Sequence, residues 1–474
     1  MNIVNKWVLR SAVVIMKNRL ETWTPDYLLQ KSSAKALKMF KTAAAHFPAY
    51  QDILKAKGVT AESVRTIDDF YKRVPLIDKQ SVFGKYKLED LVTPETAQGL
   101  SDYFVSSGTS GTFSFGLKTK KELKNIRWWT DANLERYFGI TRKRTLIVNC
   151  LPMASRVYSD LPKAELGAHA ERALAVIQSS RAMFDQFLIV SLGHIFFKKL
   201  IELGEAQGIR WDEMPVYFLT GGETLPENAR QYFLSRLPKS QSGGSPRVAS
   251  SGGLTELSMN AVFFETPETI AIRQEAMKNT ELRKALYGED VITCPPLFCW
   301  NPLSTFLEIE AGKEMGEIIA TNLDSDCVTP LVRYNLHEKG KIFNRVELSK
   351  IFERFQLGHL QPKMPLPIIA FYGRADEMSR AIQDFIYVRH DIARALTANF
   401  KAYKDPDGKL KRVMFQLKKD QSPKSAFFDP LVQDLERQFG AGLSIEFIEF
   451  QAFPYGMDLN FENKFDRAIE SLNC

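Results

Sequence analysis

The stretch "FLIVSLGHIFFKKLIELGEAQGI", residues 187–209, decides the fold class. It places a short apolar run before a glycine, and then a segment whose apolar residues recur at helical spacing. The same order occurs in "VYFLTGGETLPENARQYFLSRL", residues 216–237, and the apolar run "TLIVNCL", residues 145–151, precedes both. Apolar strands that alternate with helices are typical of a parallel sheet covered on both faces. We therefore predict an α/β fold with mostly parallel sheets covered by helices.

Length and composition indicate a globular protein of more than one domain. The 474 residues exceed the usual size of a single hydrophobic core. Apolar residues make up 45% of the chain and charged residues 25%, which are average values and exclude bulk disorder. The net charge of +7 is spread along the chain rather than gathered in one arm, so we expect no nucleic-acid partner.

Cysteine usage and the N-terminal segment predict a cytoplasmic location. The five cysteines are odd in number and dispersed, which suits reduced thiols better than a disulfide framework. The segment "NKWVLRSAVVIMKNRL", residues 5–20, is too short to span a bilayer, and Arg10 interrupts it. We expect this segment to pack on the protein as a helix, with a basic helix on a membrane surface as the alternative.

Three regions follow one another along the chain. Residues 1–95 predict a helical cap, because "SSAKALKMFKTAAAHF" (residues 32–47) has helical spacing and "TIDDFYKRVP" (residues 66–75) begins at a capping threonine. The proline-rich stretch of residues 361–378 predicts a domain boundary. We predict a large N-terminal domain, 1–372, that includes the cap, and a small C-terminal α+β lid domain, 373–474.

A loop rich in glycine and hydroxyls, "SSGTSGTFS" at residues 106–114, has the composition of a phosphate-binding loop. Backbone amides and hydroxyls bind phosphate oxygens without any side-chain charge. The loop does not form the P-loop pattern of nucleotide hydrolases, because Leu117 follows Gly116 where that pattern requires the lysine, which here is Lys118. A solvated loop without ligand is the alternative.

Four further segments follow the 106–114 loop: "GGE" (221–223), "GLTE" (253–256), "GEIIATNLDSD" with "PLVRYNLHE" (316–338) and "YGRADEM" (372–378). In this order, the loop and these segments resemble the nucleotide site of the adenylate-forming superfamily, which includes the acyl- and aryl-CoA synthetases. The N-terminal residues 47–79 also resemble the helical opening of the phenylacetate-CoA ligase branch and of the bacterial luciferase acyl-protein synthetases.

The resemblance implies roles for individual residues. Thr109 would be the central hydroxyl of the ATP phosphate loop, and Glu256 would ligate Mg²⁺, a hard cation that takes one or two carboxylates. Glu338 would hold the ribose hydroxyls, Arg374 would reach the nucleotide, and Asp376 would lie at the hinge between the domains. The remaining implied nucleotide-site residues are Ser106, Ser107, Gly108, Ser110, Gly111, Gly221, Gly222, Glu223 and Thr255.

Three positions depart from the superfamily's pattern. Gly252 stands where an aromatic residue usually lies against the adenine, Glu338 replaces an aspartate, and His337 replaces a glycine. A glutamate keeps two acceptor oxygens but is longer by one methylene. These departures keep open the alternative of a non-catalytic relative.

The resemblance also implies a catalytic lysine near the end of the chain, which supplies the charge that the phosphate loop lacks. The candidate is Lys464, with Lys409, Lys411 and Lys418 as alternatives. A zinc site formed by Cys294, Cys299, Cys327 and His337 is a weaker hypothesis, because their spacing matches no compact ligand pattern.

The implied activity is that of an ATP-dependent, AMP-forming acid ligase. A small carboxylic acid would be activated as an acyl-adenylate and transferred to a thiol, either coenzyme A or the pantetheine of a carrier protein. An acyl-protein synthetase, an amide-forming ligase and a nucleotide-binding protein without turnover are the alternatives.

Overall fold

The structure is a computed structural model. It describes residues 3–106, 111–152, 155–239, 246–289, 291–362, 364–374, 377–419, 421–422, 425–454 and 470–471. No helix among these residues is long and apolar enough to cross a membrane.

The N-terminal region is helical, as the sequence predicts. Thr24 accepts a hydrogen bond from the Tyr27 amide at the start of the second helix, and Thr66 and Asp69 form a capping box at the start of the fourth. The helices are α1 (Ile3–Thr22), α2 (Pro25–His46), α3 (Pro48–Ala56), α4 (Ile67–Arg73), α5 (Lys79–Val82) and α6 (Pro94–Gln98). α2 packs against two strands of a large sheet, residues 305–309 and 316–322. α1 packs instead against a long helix of residues 120–138.

A two-stranded hairpin follows the helices. Strands β1 (Leu100–Val105) and β2 (Phe115–Thr119) pair antiparallel, and the predicted phosphate loop forms the tip between them. Helix α7 (Lys120–Phe138) begins directly after β2, where Thr119 and Glu122 form a capping box. The hairpin therefore leads straight into a long helix that anchors it.

The parallel half of the large sheet contains the stretches that decide the fold class. All residues of β3 and β5 are buried, as expected for strands covered on both faces. The strands pair in the order β4-β3-β5-β6-β7 and all run parallel. The elements are β3 (Thr145–Cys150), β4 (Lys163–Glu165), α8 (Ala170–Ser180), β5 (Gln186–Ser191), α9 (His194–Ala206), β6 (Val216–Thr220), α10 (Glu227–Leu234) and β7 (Val248–Leu254).

The other half of the same sheet is antiparallel. From β7 onward the order is β8-β9-β13-β12-β11-β10, and each of these pairings is antiparallel. The α/β class is confirmed, but the sheet is mixed rather than mostly parallel, because short turns join neighbours such as β10 and β11 without a helical crossover. The elements are β8 (Ser258–Phe264), α11 (Pro267–Lys278), α12 (Thr280–Tyr287), β9 (Leu297–Trp300), β10 (Thr305–Ile309), β11 (Gly316–Asn322), β12 (Tyr334–Phe343), α13 (Arg345–Arg354) and β13 (Ile368–Gly373).

The C-terminal region forms a separate small sheet with helices. Its strands pair in the order β16-β15-β14-β17. Residues 396–404 form the first of these strands along the chain, although the spacing of residues 384–400 favours a helix up to residue 400. The elements are α14 (Glu377–Phe385), α15 (His390–Ala395), β14 (Leu396–Lys404), β15 (Leu410–Leu417), α16 (Ser425–Phe439), β16 (Ser444–Ile448) and β17 (Glu470–Ser471).

One hydrophobic cluster joins the small sheet to the parallel half of the large one. The buried ring of Tyr387 packs against Tyr232 on α10, with 5.4 Å between the ring centres. Lys418 pairs with Glu202 on α9 (2.8 Å), and Glu202 also pairs with Lys198 (2.6 Å). Burial lowers the pKa of Lys198 to about 7 against the opposing effect of Glu202. The C-terminal region is therefore docked on α9 and α10 through a shared core.

Candidate active site

The predicted phosphate loop is held at its neck by two hydrogen bonds. The Ser106 amide donates to the Ser114 carbonyl, and the Ser114 amide donates to the Ser106 hydroxyl, both at 3.0 Å. Gly111 has a φ of +81°, a left-handed conformation that favours glycine. Ser107, Gly108, Thr109 and Ser110 lie outside the described residues. These two hydrogen bonds between Ser106 and Ser114 therefore fix where the loop begins and ends.

The hairpin rests directly on the "GLTE" turn. A Cβ added to Gly116 in β2 would lie 2.1 Å from the Thr255 carbonyl oxygen, so only glycine fits there. Next to this contact, the buried Lys118 donates to the Leu257 carbonyl (3.1 Å) and pairs with Glu122 (3.2 Å). Lys118 thus stabilises the junction and does not serve the phosphate loop. Strand β2 and the turn that carries Glu256 are therefore in direct contact.

Glu256 offers a carboxylate suited to a metal. It is half-buried, and the Tyr334 hydroxyl donates to its Oε1 at 3.3 Å. Burial, and then the nearby Glu256 charge, raise the pKa of Tyr334 well above its usual value, so Tyr334 remains a donor. No cationic side chain of the described residues pairs with Glu256. A carboxylate held in place and not neutralised in this way fits the needs of Mg²⁺, which takes one or two carboxylates and completes its shell with phosphate and water.

Gly221, Gly222 and Glu223 lie at the carboxyl end of β6, among the ends of its parallel neighbours. A Cβ added to Gly222 would lie 2.5 Å from the end of the Leu192 side chain, which would have to shift to admit it. Glu223 lies against Gly193, where an added Cβ would meet its Oε2 at 2.2 Å. Gly193 precedes α9, and a carboxylate at a helix N-terminus is stabilised by the helix dipole. These three residues therefore pack against the carboxyl ends of the parallel strands, whether or not a ligand binds there.

Glu338, in the middle of β12, lies close to Arg374, which directly follows β13. The β12 strand contains a bulge in which residues 336–338 face a single residue of β11. The Arg374 guanidinium donates to the Leu336 carbonyl (2.9 Å) and lies 3.8 Å from Glu338 Oε1. The structure thus brings together two residues that the sequence assigned separately to the nucleotide. Asp376 lies outside the described residues.

His337 has a φ of +52°, in the left-handed region. This conformation explains why the related motif has glycine at this position. Its ring lies 3.3 Å from Glu317 Oε1 and 3.2 Å from Asp78 Oδ2. The pKa of Glu317 is lowered, first by the hydrogen bond from Asn335 and then by His337. The two carboxylates hold the histidine in a backbone conformation that a β-carbon disfavours.

We expect His337→Gly to be better tolerated than His337→Ala. Both variants lose the contacts with Asp78 and Glu317, but only alanine keeps the strain of a left-handed residue, which is worth about 1 kcal/mol. Urea unfolding of the two variants measures this difference. Equal free energies of unfolding would show that φ at residue 337 relaxes freely.

Sequence reasoning missed two residues of this site. Tyr334 lies within the "RYNLHE" segment but gave no sign that its hydroxyl reaches Glu256. Gly116 gave none either, because its partner Thr255 is distant in sequence. Gly252, in the place of the usual aromatic residue, pairs across the sheet with the buried Phe263.

The candidate lysines that the structure describes differ in their contacts. Lys464 lies outside the described residues. Lys418 is engaged with Glu202 on α9, and Lys411 pairs with Asp405 (3.3 Å) at the β14–β15 turn, as the backbone amide of Lys409 does (2.8 Å). Two of the three alternatives therefore have carboxylate partners within the C-terminal region or its interface.

The cysteines do not assemble into a metal site in the described part of the chain. No group of three or more histidine, cysteine, aspartate or glutamate side chains there could hold a metal. Cys294 and Cys299 lie in one hydrophobic cluster and Cys327 in another. Burial raises the pKa of Cys294 to about 12, which disfavours the thiolate that zinc binds.

Comparison with known proteins places this geometry in context. No family model matches the sequence, and no curated protein matches it. Among solved structures, 2-hydroxyisobutyryl-CoA ligase in the postadenylation state with 2-HIB-AMP is similar with a TM-score of 0.67 and 11% identity, covering 96% of this chain and 91% of that one. Its open conformation with 2-HIB-AMP and CoA gives 0.56 and 12% identity, covering 96% and 94%. The chain therefore has the fold of the adenylate-forming acid-CoA ligases.

Proposed function

We propose that the protein is an ATP-dependent, AMP-forming acid ligase of the phenylacetate-CoA ligase-like branch. A carboxylate oxygen of the acid attacks the α-phosphorus of ATP, which forms an acyl-adenylate and releases pyrophosphate. A thiol then adds to the acyl carbonyl and AMP leaves. The observation that carries the proposal is the contact of Gly116 with Thr255, because it sets β2, the strand that follows the phosphate loop, against the turn that carries Glu256.

The charge and hydrogen-bonding groups of each residue in the site suggest its role. The amides and hydroxyls of residues 106–111, with Thr109 at the centre, bind phosphate oxygens. Glu256 would hold Mg²⁺, which when bound offsets the phosphate charge that repels an anionic acid. Tyr334 orients the Glu256 carboxylate through its hydroxyl.

The nucleoside end of ATP is assigned to the other segments. Glu338 accepts hydrogen bonds from the ribose hydroxyls, and Arg374 beside it reaches the nucleotide. Gly221, Gly222 and Glu223 at the sheet edge line the adenine and phosphate region. Gly252 cannot stack on the base, so another side chain would take the place of the usual aromatic residue.

Coenzyme A is the first choice of thiol, since the structurally similar ligase was solved with CoA. Pantetheine on a carrier protein uses the same chemistry. Acyl-protein synthetase and amide-forming activities remain the alternatives, because they share the first half-reaction. Supplying CoA, a carrier protein and amines to the pre-formed acyl-adenylate separates these acceptors.

Acid-dependent exchange of pyrophosphate into ATP tests the proposal. A panel of aryl, fatty and amino acids should reveal at least one acid that supports exchange in the wild type. In Glu256→Gln, which keeps the shape of the side chain and removes its charge, the Mg²⁺ concentration for half-maximal exchange should rise roughly tenfold or more.

The matched control is Glu281→Gln, an exposed carboxylate on α12. It should leave the Mg²⁺ requirement unchanged. Exchange with no acid of the panel, at saturating MgATP, would favour a nucleotide-binding protein without turnover. Exchange with an unchanged Mg²⁺ requirement in Glu256→Gln would remove that residue from the metal.

The domain division at residues 372 and 373 and the cytoplasmic location are further parts of this proposal. The boundary is supported by the change from the large sheet, which ends at β13, to the small sheet. The location is supported by Cys150, Cys294, Cys299 and Cys327, which are free and buried.

A further inference from the structure

Helix α1 turns an apolar face to solvent. The side chains of Val4, Trp7, Val8, Val14 and Ile15 are between 47% and 69% exposed. They recur at three- and four-residue spacing and therefore lie on one side of the helix. We call this set the α1 stripe. Five large apolar side chains in one row are more than the scattered exposure found on ordinary protein surfaces.

The opposite side of α1 is fixed to the protein. Leu9 is 4% exposed and packs into a cluster with Ala132 and Phe138 of α7. The Arg10 guanidinium donates to the Thr141 hydroxyl (2.5 Å) and to its carbonyl (2.9 Å). These contacts set the rotation of the helix about its axis. The α1 stripe consequently faces outward because of the packing of α1 on α7.

The charges of α1 indicate what covers the stripe. Residues 3–22 contain four basic residues and one acidic residue, a net charge of +3. Lys6 and Lys17 stand at helical spacing on one flank of the stripe, whereas Arg10 beside them is bound to Thr141, and the acidic residue is Glu21 at the far end. A basic row beside an apolar row with a tryptophan is the pattern of helices that lie in an anionic membrane interface.

A second copy of the chain fits the stripe less well. Two copies related by a two-fold axis would bring the same basic flanks together, and α1 offers only Glu21 to neutralise them. An anionic bilayer instead attracts Lys6, Lys17 and Arg19, and Trp7 suits the headgroup level, where its ring is half wet.

We propose that α1 docks the protein on the surface of an anionic lipid bilayer. The helix lies in the plane of the interface, the α1 stripe enters the headgroup region and the basic flank contacts lipid phosphates and carboxylates. The proposal does not depend on the ligase activity, since none of these residues belongs to the candidate active site.

Vesicle co-sedimentation of the full chain tests the proposal. The wild type should bind phosphatidylcholine vesicles that contain phosphatidylserine and should bind pure phosphatidylcholine vesicles much more weakly. The double variant Trp7→Ser, Ile15→Ser should lose roughly tenfold or more of the partition coefficient. Lys6→Glu should weaken binding several-fold and reduce its sensitivity to salt.

Val346→Ser is the matched control, because Val346 is 62% exposed on α13, outside the stripe. It should bind like the wild type, and thermal unfolding of each variant should show that the fold is kept. Equal binding by the wild type and the double variant would overturn the proposal, as would equal binding to neutral and anionic vesicles. A dimer that the double variant abolishes, without vesicle binding by the wild type, would assign the stripe to a second copy.

Discussion

Lys464→Ala should reduce acid-dependent pyrophosphate exchange by roughly a hundredfold or more, the size of effect seen when a positioned donor is removed from a dry site. The phosphate loop has no lysine of its own. Lys118 is buried, pairs with Glu122 and donates a hydrogen bond to the Leu257 carbonyl. The cation must therefore come from another part of the chain. We propose that Lys464 supplies it to the α-phosphate and the acid carboxylate.

The two half-reactions separate a catalytic role from a structural one. Transfer of the acyl group from a pre-formed adenylate to the thiol should survive in Lys464→Ala, because that step does not need the adenylation charge. Lys411→Ala is the control, since Lys411 pairs with Asp405, and should leave both halves unchanged. Equal loss in both halves of Lys464→Ala would indicate a folding role, and no loss in either would move the charge to another residue.

Gly116→Ala should lower kcat/KM for MgATP by about a hundredfold, because a misplacement of about 1 Å between reacting groups has effects of this size. The new Cβ would meet the Thr255 carbonyl oxygen at 2.1 Å, and neither backbone can yield without moving the hairpin away from the turn. The phosphate loop and the Glu256 carboxylate would then separate. Steady-state kinetics at varied MgATP measure the loss.

Gly99→Ala is the matched control for this prediction. Gly99 precedes the same hairpin, but its added Cβ would lie 3.5 Å from the Thr119 side chain, an ordinary contact. This variant should retain the wild-type kcat/KM. A Gly116→Ala protein that folds and keeps its activity would contradict the view that the contact with Thr255 organises the site.

The docking of the C-terminal region on the large sheet constrains how Lys464 could reach the nucleotide. Its docking on α9 and α10 includes the buried Tyr387 and the pairing of Lys418 with Glu202. Rotation of a lid about Asp376 would have to open this shared core.

The sequence alone determined the features that depend on local pattern. Buried strands such as β5 are continuous apolar runs, and helical spacing follows β5 directly after Gly193, so the parallel half of the sheet and the α/β class could be predicted. The order of the glycine-rich and acidic segments predicted the candidate nucleotide site, because each segment is short and its residue types fit the ligand chemistry.

Only the tertiary structure decided features that depend on contacts between distant residues. The pairing of β9 with β13, the contact of Gly116 with Thr255 and the hydrogen bond from Tyr334 to Glu256 join segments that are distant in sequence, and no local spacing encodes them. The left-handed conformation of His337 follows from a bulge between two strands. The outward direction of the α1 stripe follows from Leu9 and Arg10, because a helix with apolar residues on two sides takes its orientation from the partner it packs against.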